Sequence, residues 1–179
     1  MSGKAAVLID GGYIRALNKN HFGLRKIDFL RLSDLLCKPD CTRFRTYYYI
    51  APPYQDATPT PKQRQMKADM DKFLYNLSQY PRFIIRLGRL RRTGRNKFEQ
   101  KGVDVLFACD LVRLSAARVI DKAIIVSGDS DFTPAVQIAK EEMVITKLVY
   151  YPSACAPALY NACDERQRIT QSLVDSISG

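Results

Sequence analysis

Apolar residues fall along this chain in short runs, and the runs alternate between two spacings. At 5–9 (AAVLI) every position is apolar, which predicts a short strand buried on both faces and ending at Asp10-Gly11-Gly12. Segment 27–36 (IDFLRLSDLL) has helical spacing. Segment 44–50 (FRTYYYI) is aromatic and suits a strand. Prolines make 51–61 a loop. A helix over 62–79 lines up Met66, Met70, Phe73, Leu74 and Leu77. A third strand at 83–87 (FIIRL) leads into a basic, glycine-containing loop at 89–97. A helix over 102–119 carries Val103, Leu106, Phe107, Leu111 and Leu114 on one side. Strands at 122–126 (KAIIV) and 144–150 (VITKLVY) flank a short helix at 133–140. A helix over 157–177 closes the chain, with Ile169, Leu173 and Ile177 spaced for core packing.

Repeated β-α units predict a parallel sheet covered by helices on both faces. Parallel neighbours joined this way take right-handed crossovers. Neither a repeat nor a linker interrupts the pattern, so one domain is expected over 1–179.

Composition narrows the classes. Hydrophobic residues make up 46% and charged residues 26% of the 179 positions, the profile of a soluble globular chain. No apolar run approaches the ~20 residues of a membrane span. The N-terminus does not read as a signal peptide, so a cytoplasmic protein without membrane contact is expected. The 5 Cys include no CxxC, and the single His is His21, which argues against zinc and against Ser-His-Asp or Cys-His catalysis.

A formal net charge of +10 favours a polyanionic partner. The cations are also clustered. Arg82, Arg86, Arg89, Arg91, Arg92, Arg95, Lys97 and Lys101 face one acid, Glu99, in that stretch. Against this basic background, IVSGDSDF places Asp129 and Asp131 directly after an apolar strand. Asp10 ends the first strand, and Asp104 begins the helix that follows the basic loop.

Open α/β sheets bind ligands beyond the carboxyl ends of their strands, where strand order reverses. If the first and fourth strands are neighbours, Asp10 and Asp129 meet there, and Asp104 can face the same crevice. Converging carboxylates repel unless a cation intervenes. Mg²⁺ takes oxygen ligands and substrate phosphate, and can activate water against a phosphodiester. Each Asp also has a local explanation: a turn at Asp10-Gly11-Gly12, a cap at Asp129 or Asp131, a helix-dipole partner at Asp104. Asp110 shares the stripe of Val103 and suits a structural role, with a supporting acid behind the site as the alternative. Tyr47, Tyr48, Tyr49 and Tyr54 offer stacking surfaces, with Tyr47 and Tyr49 expected in the core.

VLIDGGY, KGVDVLFACDLV and IVSGDSDFTPAV, in that order, resemble the NYN domain, in particular its LabA-like group within the PIN-like nucleases. The resemblance implies a three-layer αβα sandwich with a mainly parallel sheet in the order 3-2-1-4-5. It implies an endoribonuclease using Mg²⁺ or Mn²⁺, with Asp10, Asp104, Asp129 and Asp131 as metal ligands and Ser127 in support. Single-stranded RNA would be the partner, guided by Arg89, Arg91, Arg92, Arg95, Lys97 and Lys101. Many relatives carry Asn three residues after the first Asp, where this chain has Tyr13.

Two other readings compete. One is an RNA-binding regulator that uses the same basic patch without efficient cleavage. The other is a phosphatase of the haloacid-dehalogenase type, since Asp129-Ser-Asp-Phe-Thr133 fits DxDxT. That motif normally opens its fold, and too little chain follows Thr133 to complete one. The sequence leaves oligomeric state open, a homodimer included.

Overall fold

β1 (Gly3–Asp10) and β6 (Lys122–Val126) lie side by side at the centre of the sheet, because their all-apolar runs can be buried on both faces. The computed structural model describes residues 3–94 and 97–179. Between these two strands come α1 (Gly11–His21), α2 (Phe29–Cys37), β2 (Cys41–Ile50), α3 (Pro61–Ser78) and β3 (Phe83–Leu87). Then follow β4 (Arg89–Gly94), β5 (Lys97–Lys101) and α4 (Val103–Ala116). After β6 the chain forms α5 (Thr133–Glu141), β7 (Ile145–Tyr150), α6 (Pro157–Ala162), β8 (Glu165–Arg168) and α7 (Gln171–Ile177).

The main sheet is parallel throughout, in the order β3-β2-β1-β6-β7-β8. Alternation in β1 divides the core. Ala5, Val7 and Ile9 join one cluster with α1, α2, α3 and α7, while Ala6 and Leu8 join the other with α4, α5 and α6.

This order replaces the expected 3-2-1-4-5. The strands expected as fourth and fifth are the sixth and seventh of the chain. The basic segment 89–97, expected as a loop, is instead part of the antiparallel hairpin β4-β5, which forms its own two-stranded sheet. The expected closing helix over 157–177 is also broken, because 165–168 pairs with β7 as an edge strand. Asp164 fixes that entry by accepting from the Thr146 amide and hydroxyl at 2.9 and 2.8 Å. Glu165 then accepts from the buried Lys122 ammonium at 2.9 Å. Thus Asp164 and Glu165 stabilise the sheet rather than joining the other acids.

The helix at 11–21 has no counterpart among the expected elements. Gly11 is required at its start, since a Cβ there would lie 2.6 Å from Tyr48 Cζ and 2.7 Å from the Tyr49 carbonyl oxygen. The helix over 102–119 ends earlier than expected, at Ala116. No helix among the described residues is long and apolar enough to cross a membrane.

Candidate active site

Strand order reverses between β1 and β6: β2 lies on the far side of β1, and β7 on the far side of β6. Ile9 pairs with Val126, so Asp10 and Ser127 leave the sheet at adjacent positions. Such a switch point is where an open α/β sheet offers a crevice.

Asp10 is held from two directions. It is the N-cap of α1, and its Oδ1 accepts from the Tyr13 amide at 3.0 Å. The buried Ser127 donates its hydroxyl to Asp10 Oδ2 at 3.0 Å. The Asp129 amide in turn donates to Ser127 Oγ at 3.3 Å, and the Asp131 amide to Asp129 Oδ1 at 2.9 Å. Asp129 thus caps the short turn Ser130–Phe132, while Asp10, expected in a turn, caps α1 instead; each cap uses one carboxylate oxygen, and Ser127 bonds the other oxygen of Asp10. Gly128 lets this loop close, because a Cβ there would lie 1.9 Å from the Ala154 carbonyl oxygen.

Asp104 stands in the first turn of α4. Burial raises its carboxyl above the ordinary value, and the charges of Asp129, Asp10 and Asp131 raise it further. Burial likewise raises Asp10, with Asp129 adding to it and the bonds from Tyr13 and Ser127 opposing it. Three separate chain segments thus bring Asp10, Asp104, Asp129 and Asp131 into mutual electrostatic range. None of the four forms an ion pair with a cation among the described residues. Asp131 is the exposed member; the other three are half-buried.

The donors are hard oxygens, chemically suited to Mg²⁺ or Mn²⁺. Among the described residues, however, no three His, Cys, Asp or Glu side chains are gathered tightly enough to form a metal cage. The arrangement fits a cation that keeps most of its waters and takes one or two carboxylates, as Mg²⁺ commonly does.

The hairpin separates the expected phosphate-binding cations. Arg89, Arg91 and Lys97 are exposed and have no acid partner among the described residues. Arg92 is tied to Asp56 at 3.0 Å, and Lys101 to Glu99 at 2.6 Å. Arg95 lies outside the described residues. Arg86 binds Asp110 instead of facing the hairpin.

The aromatic residues divide similarly. Tyr47, Tyr48 and Tyr49 are all buried, whereas the half-buried Tyr54 packs on Phe98 of β5 with ring centroids 5.2 Å apart. Tyr13 supplies packing and a hydroxyl acceptor for the Tyr151 amide at 2.8 Å. It thereby ties α1 to the chain just beyond β7.

Sequence reasoning missed Gln100. Its partner Leu90 is half-buried, which places both on the inner face of the hairpin. Gln100 Oε1 would lie 3.7 Å from a Cβ on Gly12, two residues from Asp10. Its signal is the alternation of the hairpin, which the cations of 89–97 obscure.

The NYN domain family model matches residues 4–170. Uncharacterized protein y4oD of Sinorhizobium fredii is 41% identical over 56 residues, which cover 31% of this chain and 24% of that protein. The chain therefore spans about a quarter of that relative's length. A crystal structure of a protein of unknown function, VPA0982 from Vibrio parahaemolyticus, aligns over 94% of both chains at 20% identity, with a TM-score of 0.62. This last likeness is one of fold.

Proposed function

Since the chain belongs to the NYN domain family, we propose that it is a metal-dependent endoribonuclease of the PIN-like type, LabA-like in its motifs, acting on single-stranded RNA. One observation carries the reading: Asp104 is raised by burial and by Asp129, Asp10 and Asp131 together, at the switch point of a parallel sheet. A carboxylate cluster without a basic partner carries a standing electrostatic penalty, which a divalent cation removes.

Asp10, Asp104 and Asp129 would hold a hydrated Mg²⁺ or Mn²⁺, one or two of them directly and the rest through its waters. When bound, the ion would supply acidity to a coordinated water and positive charge for the phosphodiester oxygens. Asp10 is kept from swinging away by the Tyr13 amide and Ser127 hydroxyl. The exposed Asp131 would orient the attacking water. Arg89, Arg91 and Lys97 would hold backbone phosphates on either side of the scissile bond. The preference for RNA over DNA comes from the family, because a basic hairpin meets phosphate on both.

A second reading is an RNA-binding regulator with little turnover. The lack of a ready-made metal cage among the described residues favours it, as does Tyr13 in place of the Asn common in relatives. One assay separates the two. Wild type, Asp10→Asn and Asp129→Asn are incubated with a labelled single-stranded RNA in Mg²⁺, Mn²⁺ or EDTA. The nuclease reading expects metal-dependent internal cleavage that both substitutions remove. Equal cleavage by all three proteins would sink the assigned site, while metal-independent binding without turnover would favour the regulator.

A further inference from the structure

A groove of about 1030 Å³ runs between α1 and α3. It sits at the upper end of the volume range of small-molecule sites. Its near end is Gly12 and Gln100, and a Cβ on Gly12 would lie 3.3 Å from Asp10 Oδ1. The groove therefore reaches to within two residues of Asp10.

Two kinds of surface line it. Met66, Met70 and Phe73 of α3 make an apolar wall, with Met66 49% exposed although it faces a concave surface. Arg15, Arg25 and Lys26 bring positive charge from α1 and the following loop. Arg25 is partly engaged by Asp175 at 3.7 Å. Arg15 and Lys26 have no acid partner among the described residues. Arg15 instead points Nη1 at the Met70 thioether, 3.6 Å away, a weak acceptor for a guanidinium. Asp69, on the α3 side, is already bonded by Gln65 at 2.8 Å.

Tyr48 also lines the groove. It is fully buried, packs edge-on against Phe29 and Phe73, and its hydroxyl has no hydrogen-bond partner among the described residues.

We infer that this groove binds the nucleotide next to the scissile phosphate of a single-stranded nucleic acid, with its base on Met66 and Phe73 and its phosphate on Arg15. An apolar wall beside an unpaired guanidinium matches a flat base joined to a phosphate. A purely apolar partner would leave Arg15 buried without an anion. The inference rests on the nuclease reading for which phosphate is cut, but not for whether the groove binds.

The test measures fluorescence anisotropy of labelled single-stranded RNA of three, six and ten nucleotides, in EDTA and in Ca²⁺. The proteins are wild type, Arg15→Ala, Arg15→Lys, Met66→Glu and the hairpin variant Arg91→Ala. Arg15 and Met66 are exposed, so these changes should spare the fold, and thermal melts check it. Arg15→Ala and Met66→Glu should each weaken binding about tenfold, with Arg15→Lys recovering part of the loss. Wild-type affinity should rise with length, and 5-bromouridine should crosslink to α3. Wild-type affinity in both groove variants, or crosslinks confined to the hairpin, would overturn the inference. Groove-dependent binding without cleavage would refute the nuclease reading and keep this one. Unaltered binding with cleavage lost in Asp10→Asn would do the reverse.

Discussion

Asp104 and Asp110 stand on the same helix, yet they resolve the burial of a carboxylate in opposite ways. Asp110 is enclosed by partners. Arg86 of β3 donates to both its oxygens at 2.7 and 3.0 Å, Arg113 donates at 3.0 Å, and the buried Tyr49 hydroxyl donates at 3.1 Å. Burial alone would raise this carboxyl, but these donors outweigh it and hold it below the ordinary value. Asp104 receives three more negative charges instead, and burial and repulsion both raise it. The fold therefore satisfies a carboxylate fully where it serves the core, and gives the switch-point acids no cationic partner among the described residues. Such stored repulsion is common where a protein trades stability for function.

The largest expected effect breaks the comparison at the switch point. Asp10→Asn in Mg²⁺ should lower the cleavage rate by roughly 10²–10³-fold, on the order of 3–4 kcal/mol of barrier. Single-turnover kinetics would read it, and the melting temperature should not fall. Next comes the other acid. Asp110→Ala leaves Arg86 and the Tyr49 hydroxyl without their acceptor and should destabilise by about 2–4 kcal/mol. Denaturant titration would show the loss, while the rate per folded molecule stays near wild type.

The pH dependence sharpens the contrast. Asp10 and Asp104 lie above their ordinary value, so the stability linked to their protons is full below about pH 4 and is lost as pH rises through their raised values. For Asp110 the stability is present above about pH 4 and is lost as pH falls through its lowered value. Asp104→Asn should accordingly be more stable than wild type at pH 7 without metal, by up to about 2 kcal/mol. That gain should shrink as pH approaches 4, and Mg²⁺ should close it by stabilising wild type more. A gain independent of both pH and Mg²⁺ would contradict repulsion as its source. The smallest effect concerns Tyr13. Tyr13→Phe deprives the Tyr151 amide of its acceptor and should cost about 1 kcal/mol, with the metal dependence of cleavage unchanged.

Much of the candidate site was legible in the sequence because its parts are local. Apolar runs marked β1 and β6, and the Asp-Ser-Asp cap is short-range chemistry written in adjacent residues, whereas Asp10-Gly11-Gly12, expected as a turn, opens α1. The parts that escaped depend on pairing. The Arg89–Lys101 hairpin looked like a loop because its strands carry cations where an apolar alternation would normally show. β8 carries only Glu, Arg and Gln, and becomes a strand because Asp164 and Lys122 hold it against β7.

What the sequence determined by itself was the set of strands buried on both faces and the acids that end them. Period and polarity act within a few residues, so they can be read in one dimension. Only the tertiary structure decided which acids are neutralised. Asp110 meets Arg86 across 24 positions of chain, and Ser127 meets Asp10 across 117. Strand order and register place those partners together, and with them the difference between a carboxylate enclosed by donors and one that faces other acids.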